Sequence, residues 1–245
     1  LTLPHPLAER AKDLKMTEEQ LEARLAPLRE KLFLVRAKRP RPFRDTKILT
    51  AWNGQMIAGL ASAGQALGEK KPIENAACAA DFVLKKLRTK NGRLLRTYGA
   101  APGQNAEARI NGYLDDYAFL VHGLLGLHDA TKEKRWLDEA KALTDIMIQY
   151  HGDDKRGGFF YTSNDHEKLF ARSKEQYDGA QPSSNSIAAS NLVRLWTKTG
   201  DERYAQRAEK TFKGLAIPLK TNPGSLPALA DALGMYLQAK TAKKK

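Results

Sequence analysis

One element occurs three times along the chain, and it limits the fold to stacked helical hairpins. Leu67 to Ala77 reads LGEKKPIENAA, Ala130 to Ala140 reads ATKEKRWLDEA, and Lys198 to Ala208 reads KTGDERYAQRA. Ile73, Trp136 and Tyr204 hold the same place, 63 and 68 residues apart, each followed four residues later by an alanine (Ala77, Ala140 and Ala208). A period of that length suits a helical hairpin with a long return. Before each copy lies an apolar run rich in small residues: ILTAWNGQMIAGLASAGQAL, YLDDYAFLVHGLLGLHDAT and SNSIAASNLVRLWTKTG. After each copy comes an amphipathic helix, so every unit reads as inner helix, tight turn, outer helix. The returns NGRLLRTYG and GGFFYTS combine turn glycines with β-favouring residues and predict short hairpins.

Upstream, MTEEQLEARLAPLREKLFLVRAK reads as an amphipathic helix capped by Thr17, with Gln20 completing a capping box. Downstream, SLPALADALGMYLQAK adds one more helix, giving about eight. The boundaries drawn from the sequence are an N-terminal extension over 1–16, one helical-hairpin domain over 17–240 and a basic tail over 241–245. Hairpins with their first helices inside close into an all-α toroid, of which about eight helices supply a partial ring. The chain begins at Leu1 rather than Met, as a processed product or fragment would.

Composition narrows the function classes. A length of 245 residues with 42% hydrophobic content can bury a sizeable core. No apolar stretch approaches the roughly 20 residues of a membrane-spanning helix, so a soluble chain without a membrane partner is expected. The single Cys78 excludes an intrachain disulfide, fits a cytoplasmic location, and lies in the alanine-rich run AACAADFVLKKL, where it is expected to pack as a small hydrophobe. The net charge of +13 would suit an anionic partner, but the excess sits in Lys31 to Lys47 and in the tail KTAKKK. No zinc-finger spacing, phosphate loop or RNA-binding signature accompanies it, so no nucleic-acid partner is assigned. The five histidines lack metal-ligand spacing, and neither metal nor cofactor is assigned. His122, two turns into the second inner helix, is a candidate for proton transfer, with a core role as the plainer reading.

The polar openings of the inner helices are the candidate site. The first carries Asp45, Lys47, Trp52 and Asn53; the second Asp115, Asp116 and Tyr117; the third Asp178 and Asn185, with Phe160 and Tyr161 on the returns. Aromatic faces beside carboxylates and amides suit a sugar ring, and paired carboxylates could perform acid/base glycosidic chemistry. Asp116 and Asp178 are the expected catalytic pair, with Asp45 in reserve. Lys47, Trp52, Asn53, Asp115, Tyr117, Phe160, Tyr161 and Asn185 are the expected substrate contacts. Ordinary helix capping would explain the same residue types, most readily Ser183, Ser184 and Asn185 after Pro182. The adjacent acids of YLDDYAFLVHGLL are harder to treat so, because two carboxylates in an apolar stretch need partners or a task.

At KLFLVRAKRPRPFRDTKILTAWNGQMIAGLA, NGYLDDYAFLVHGLLGLHDAT and YDGAQPSSNSIAASNLVRL the chain resembles the thioredoxin-domain-containing family of spermatogenesis-associated protein 20 and its bacterial relatives, over roughly 17–238. In that family a thioredoxin-like domain precedes an α/α-toroid region similar to six-hairpin glycosidases and N-acylglucosamine 2-epimerases. The resemblance implies a six-hairpin glycosidase-like fold, with recurrent motifs matching at Asp45, Lys47, Trp52, Asn53, Asp115, Asp116, Tyr117, Asp178, Gly179, Pro182 and Asn185. It implies a saccharide ligand through the fold relatives, as a glycosidase-like hydrolase or a sugar isomerase or epimerase relative. The epimerases use histidines as bases, and none of the five here aligns with those. The alternative expectation is a noncatalytic scaffold that binds a thioredoxin-like domain, or an acidic protein through Lys31 to Lys47.

Overall fold

The computed structural model describes residues 5–42, 44–100, 104–167 and 170–243. These form two compact units, Leu1–Asp45 and Thr46–Lys245. The boundary expected from the sequence lies at Thr17, whereas the first unit takes in the extension together with the helix after it. In that unit α1 (Leu7–Asp13) precedes α2 (Glu18–Ala37). Thr17 Oγ1 accepts from the Gln20 N–H at 3.2 Å while Gln20 Oε1 accepts from the Thr17 N–H at 3.0 Å, the expected capping box. The expected amphipathic face of α2 is not realised. Only Leu21 is buried, and Leu28, Leu32, Phe33, Leu34 and Val35 remain exposed, since four consecutive apolar residues point all round a helix.

The second unit holds the three hairpins: α3 (Thr50–Leu67) with α4 (Lys70–Lys86), α5 (Leu114–Thr131) with α6 (Lys134–His151), and α7 (Ser184–Thr199) with α8 (Glu202–Gly214). A short α9 (Ala216–Thr221) leads to α10 (Pro227–Ala242), which runs into the stretch expected to be a tail. Helices α1 and α9 add to the expected eight, each being too short to show a periodic pattern in the sequence. Each hairpin turns at one left-handed residue, Gly68, Lys132 or Gly200 (φ 69°, 61° and 74°), whose N–H returns to Gly64, His128 or Trp196. The inner helices pack in series, α3 on α5, α5 on α7 and α7 on α10, with α4, α6 and α8 outside. This is an α/α toroid in partial form.

Helix α5 is the centre of the core, with twelve buried residues from Leu114 to Leu127. Its approach to α3 is set by glycine. A Cβ at Gly54 would lie 2.5 Å from the backbone of Phe119 and Leu120, and one at Gly123 would lie 2.8 Å from the Gly54 carbonyl. Trp136 and Tyr204, two of the repeat markers, are fully buried on the outer helices, and Ile73 packs against the same core.

Of the two returns, the first forms a sheet. Strand β2 (Leu95–Gly99) pairs antiparallel with β3 (Glu107–Asn111) on one side and with β1 (Ile48–Leu49) on the other, Thr97 facing both Arg109 and Leu49. Since β1 runs into α3 and β3 leads to α5, this sheet fixes the starts of two inner helices. The second return, GGFFYTS, makes only a single bridge from Phe159 to Gly152, because its partner segment bonds to it at isolated points. Cys78 is exposed, contrary to the packing expectation. Ala76, Ala80 and Val83 turn inward, and position 78 stands about 200° around the helix from Ala76. No described helix is long and apolar enough to cross a membrane.

Candidate functional site

The opening of α5 is an ionic cluster built round Arg96 of β2. Asp116 is fully buried and accepts from the Tyr113 N–H at 2.9 Å, from Arg96 at 3.1 Å and, across the helix boundary, from the Ala51 N–H of α3 at 3.0 Å. Asp115 accepts from Arg96 at 2.9 and 3.1 Å and from the Tyr161 hydroxyl at 3.2 Å. Burial and then the charge of Asp115 push the Asp116 carboxyl up, to about 7, against the pull of Arg96 and two amides. Burial opposes the Arg96 charge too, but Asp116 and Asp115 prevail and hold it protonated. Tyr113 covers the cluster, its ring 4.8 Å from the Arg96 guanidinium and 5.1 Å from Tyr161. Tyr117 is buried below and accepts from the Leu94 N–H at 3.0 Å.

Asp178 has a matching role in the next hairpin. It accepts from the Ser183 N–H at 2.7 Å, the Ser186 hydroxyl at 2.8 Å and the Ala228 N–H of α10 at 2.9 Å. Ser183 caps α7 as expected, its hydroxyl accepting from the Ser186 N–H. Asn185 is buried, clamping both backbone groups of Phe159 at 2.8 and 2.9 Å, while Glu175 accepts from the Ser184 N–H. Asp116 in the first turn of α5 and Asp178 in the connection before α7 thus reach to the second residue of a neighbouring inner helix, satisfying amides that a helix start leaves open. They share no hydrogen bond with each other, and each carboxylate has three donors.

The remaining expected residues are dispersed. Asp45 ends the first unit and is exposed; Lys47 is exposed ahead of β1. Asn53 donates its amide to the Leu49 carbonyl of its own helix start at 2.9 Å, and Trp52 is 65% exposed on α3. Phe160 faces away from Tyr161's cluster, flanked by Arg172 at 4.2 Å and Lys174 at 4.9 Å. No group of three or more potential ligands among the described residues could hold a metal ion.

A second polar cluster lies deeper, between α5 and α7. The least covered face of α5 runs Asp115, Phe119, His122 and Gly126, at helical spacing, and meets a face of α7 bearing Ile187, Ser190 and Arg194. Arg194 donates to His122 Nδ1 at 3.2 Å and to Asp129 at 2.8 Å, and Lys198 also bonds Asp129. His122 Nδ1 lies between this guanidinium and Asn191 Oδ1, 3.3 Å away, while the Asn191 amide donates to the Ala118 carbonyl at 2.7 Å. Burial first, and Arg194 second, depress His122 to about 4. Arg96, Glu175 and Arg194 are not assigned by the sequence because each acts through a partner at least nine residues away. The signal available for Arg194 is a lone charge inside the run LVRLW of the third inner helix.

The serially packed inner helices with their outer partners define a class, the α/α toroids. The chain belongs to the N-acylglucosamine 2-epimerase (GlcNAc 2-epimerase) family, whose model matches residues 65–222. It is 36% identical over 214 residues to human spermatogenesis-associated protein 20, covering 85% of this chain and 27% of that one. The chain therefore spans about a quarter of the length of that curated relative. Among solved structures, cellobiose 2-epimerase from Spirochaeta thermophila superposes with a TM-score of 0.54 at 14% identity, over 71% of this chain and 43% of that one. A glycoside hydrolase of family 105 from C. acetobutylicum superposes at 0.56 with 15% identity, over 85% and 60%. These likenesses establish the fold.

Proposed function

We propose that the chain contributes one wall of a saccharide-binding funnel and acts as a relative of sugar isomerases and epimerases. The observation that carries this is His122, a neutral imidazole on the least covered face of the central inner helix, its Nδ1 engaged by Arg194 and Asn191 and its Nε2 the ring nitrogen left to meet a ligand. A neutral ring of that kind polarises a carbonyl or hydroxyl oxygen without bringing a charge of its own. Trp52, 65% exposed at the start of α3, offers the flat apolar surface on which a sugar ring stacks. A two-carboxylate hydrolase would need Asp116 and Asp178, with Asp45 in reserve, free to exchange protons; the three donors on each of the first two favour the isomerase reading. Family membership and the named activity of the structural neighbours support the same choice of substrate class.

Thermal shift with N-acetylglucosamine and cellobiose tests the reading. A saturable rise in Tm is expected in the wild type and is lost in Trp52→Ala and His122→Asn, neither of which removes a backbone hydrogen bond. No shift with either sugar, together with binding of an isolated thioredoxin-like domain, would instead establish the chain as a noncatalytic scaffold.

A further inference from the structure

A cavity of about 730 Å³ lies between the α6–α7 connection and the C-terminal end of α8, and its lining includes Lys155, Arg156, Phe160, Arg172, Lys174 and Gly214. Its two acids are already neutralised. Asp153 pairs with Lys174 at 2.7 Å and accepts from the Lys155 and Arg156 N–H groups, and Asp154 pairs with Arg207 at 2.5 Å. The other cations are not. Arg172 donates only to the carbonyls of Thr162 and Tyr150, and neither it nor Lys155 nor Arg156 has an ion-pair partner among the described residues. Burial disfavours the Arg172 charge and lowers its pKa against the weaker pull of Asp153 and Asp165, neither of which bonds to it, so a guanidinium stands at this wall at a cost that a directly bound anion would relieve.

We propose that this cavity is a site for a phosphate group, such as that of a phosphate monoester, held by Arg172 and Arg156 with Lys155 at its edge. Three unpaired cations match a dianion better than a singly charged carboxylate, and the guanidinium fork suits phosphate oxygens. The site is separate from the inner face that carries His122, yet it is connected to the rim. Side chains alternate along the two segments that wall it: Phe160 and Lys174 line the cavity, while Tyr161 reaches Asp115 and Glu175 holds Ser184. The Tyr161 N–H donates to the Ser173 carbonyl at 2.8 Å, joining the segments. An anion drawing Arg156 and Arg172 together stiffens the same two segments that hold the openings of α5 and α7.

The test is titration of the whole chain with inorganic phosphate, followed by calorimetry and by thermal shift, against acetate and chloride at matched ionic strength. Phosphate is expected to bind saturably and raise Tm where acetate and chloride do not. Arg156→Gln, whose side chain is exposed and bonds to nothing described, is expected to weaken phosphate at least tenfold without altering the Tm of the free protein, and Arg172→Gln to weaken it further. Lys85→Gln, an exposed cation on α4, serves as the remote control and leaves binding unchanged. Equal stabilisation by phosphate and acetate, undiminished affinity in Arg156→Gln and Arg172→Gln, or an equal loss in Lys85→Gln would overturn the site in favour of a diffuse effect of the +13 net charge.

Discussion

Two glycines four residues and nine residues into α3 should respond in opposite directions to the same substitution. At Gly54 a new Cβ would sit 2.5 Å from backbone atoms of Phe119 and Leu120, whereas carbon contacts settle near 3.5–4.0 Å. Backbone cannot rotate aside, so α3 and α5 must separate by about 1 Å. Overpacking of this kind costs about 1–3 kcal/mol, and the backbone origin of the clash argues for the upper end. Alanine recovers about 1 kcal/mol of helix propensity, leaving Gly54→Ala about 2 kcal/mol less stable. At Gly59 nothing lies within 4 Å of the added carbon, so only the propensity gain remains and Gly59→Ala should be about 0.5–1 kcal/mol more stable. Urea unfolding followed by circular dichroism reads both, with an unchanged m-value showing that the same surface is exposed. In thermal scans the pair should straddle the wild type, roughly 4–8 °C below and 1–4 °C above. Equal shifts in one direction, or a Gly54→Ala protein as stable as wild type, would refute the close approach of α3 and α5 and with it the short reach from Asp116 to Ala51.

Three further outcomes follow from other regions of the structure. His151 is fully buried, donates Nδ1–H to the Phe160 carbonyl at 3.2 Å, and is depressed from 6.5 to about 4 by burial and by Arg172 and Arg93. Its neutral form favours the fold, so its contribution is complete above pH 6.5 and is lost as pH falls toward 4, by about 3 kcal/mol at most. His151→Phe should flatten the slope of stability over that window, and parallel curves would refute the assignment. Asp178→Ala strands the Ser183 and Ala228 amides and should cost about 2–4 kcal/mol, with hydrogen exchange accelerating first at Ala228; protection retained there would contradict the latch. Cys78, exposed on α4, should react with one equivalent of a thiol reagent in the native protein, and labelling only after denaturation would place it inside.

The helices were legible because their signals are local. The markers Ile73, Trp136 and Tyr204 sit in short motifs whose turns, caps and apolar spacing lie within a dozen residues, and the Thr17 capping box spans four. The site was legible only as a set of residue types at helix starts. What each acid does depends on partners far along the chain: Ala51 lies 65 residues from Asp116, and Ala228 lies 50 from Asp178. Pairing at such distances leaves no periodic trace. Strand β1 escaped for the same reason, being two residues whose extended form depends on Thr97 and Tyr98. Cys78 misled because an alanine-rich run carries too little contrast to show which side of the helix turns inward.

The reach of Asp116 and Asp178 across helix boundaries alters how kinship among such chains should be interpreted. A side chain that closes a neighbour's open amides cannot drift without its neighbour's consent, so selection for assembly alone would preserve it. Retention of an acid at these two positions in a lineage would therefore record joinery between units, and enzymatic descent would have to be traced through groups such as His122 and Arg194, which hold no helix end in place.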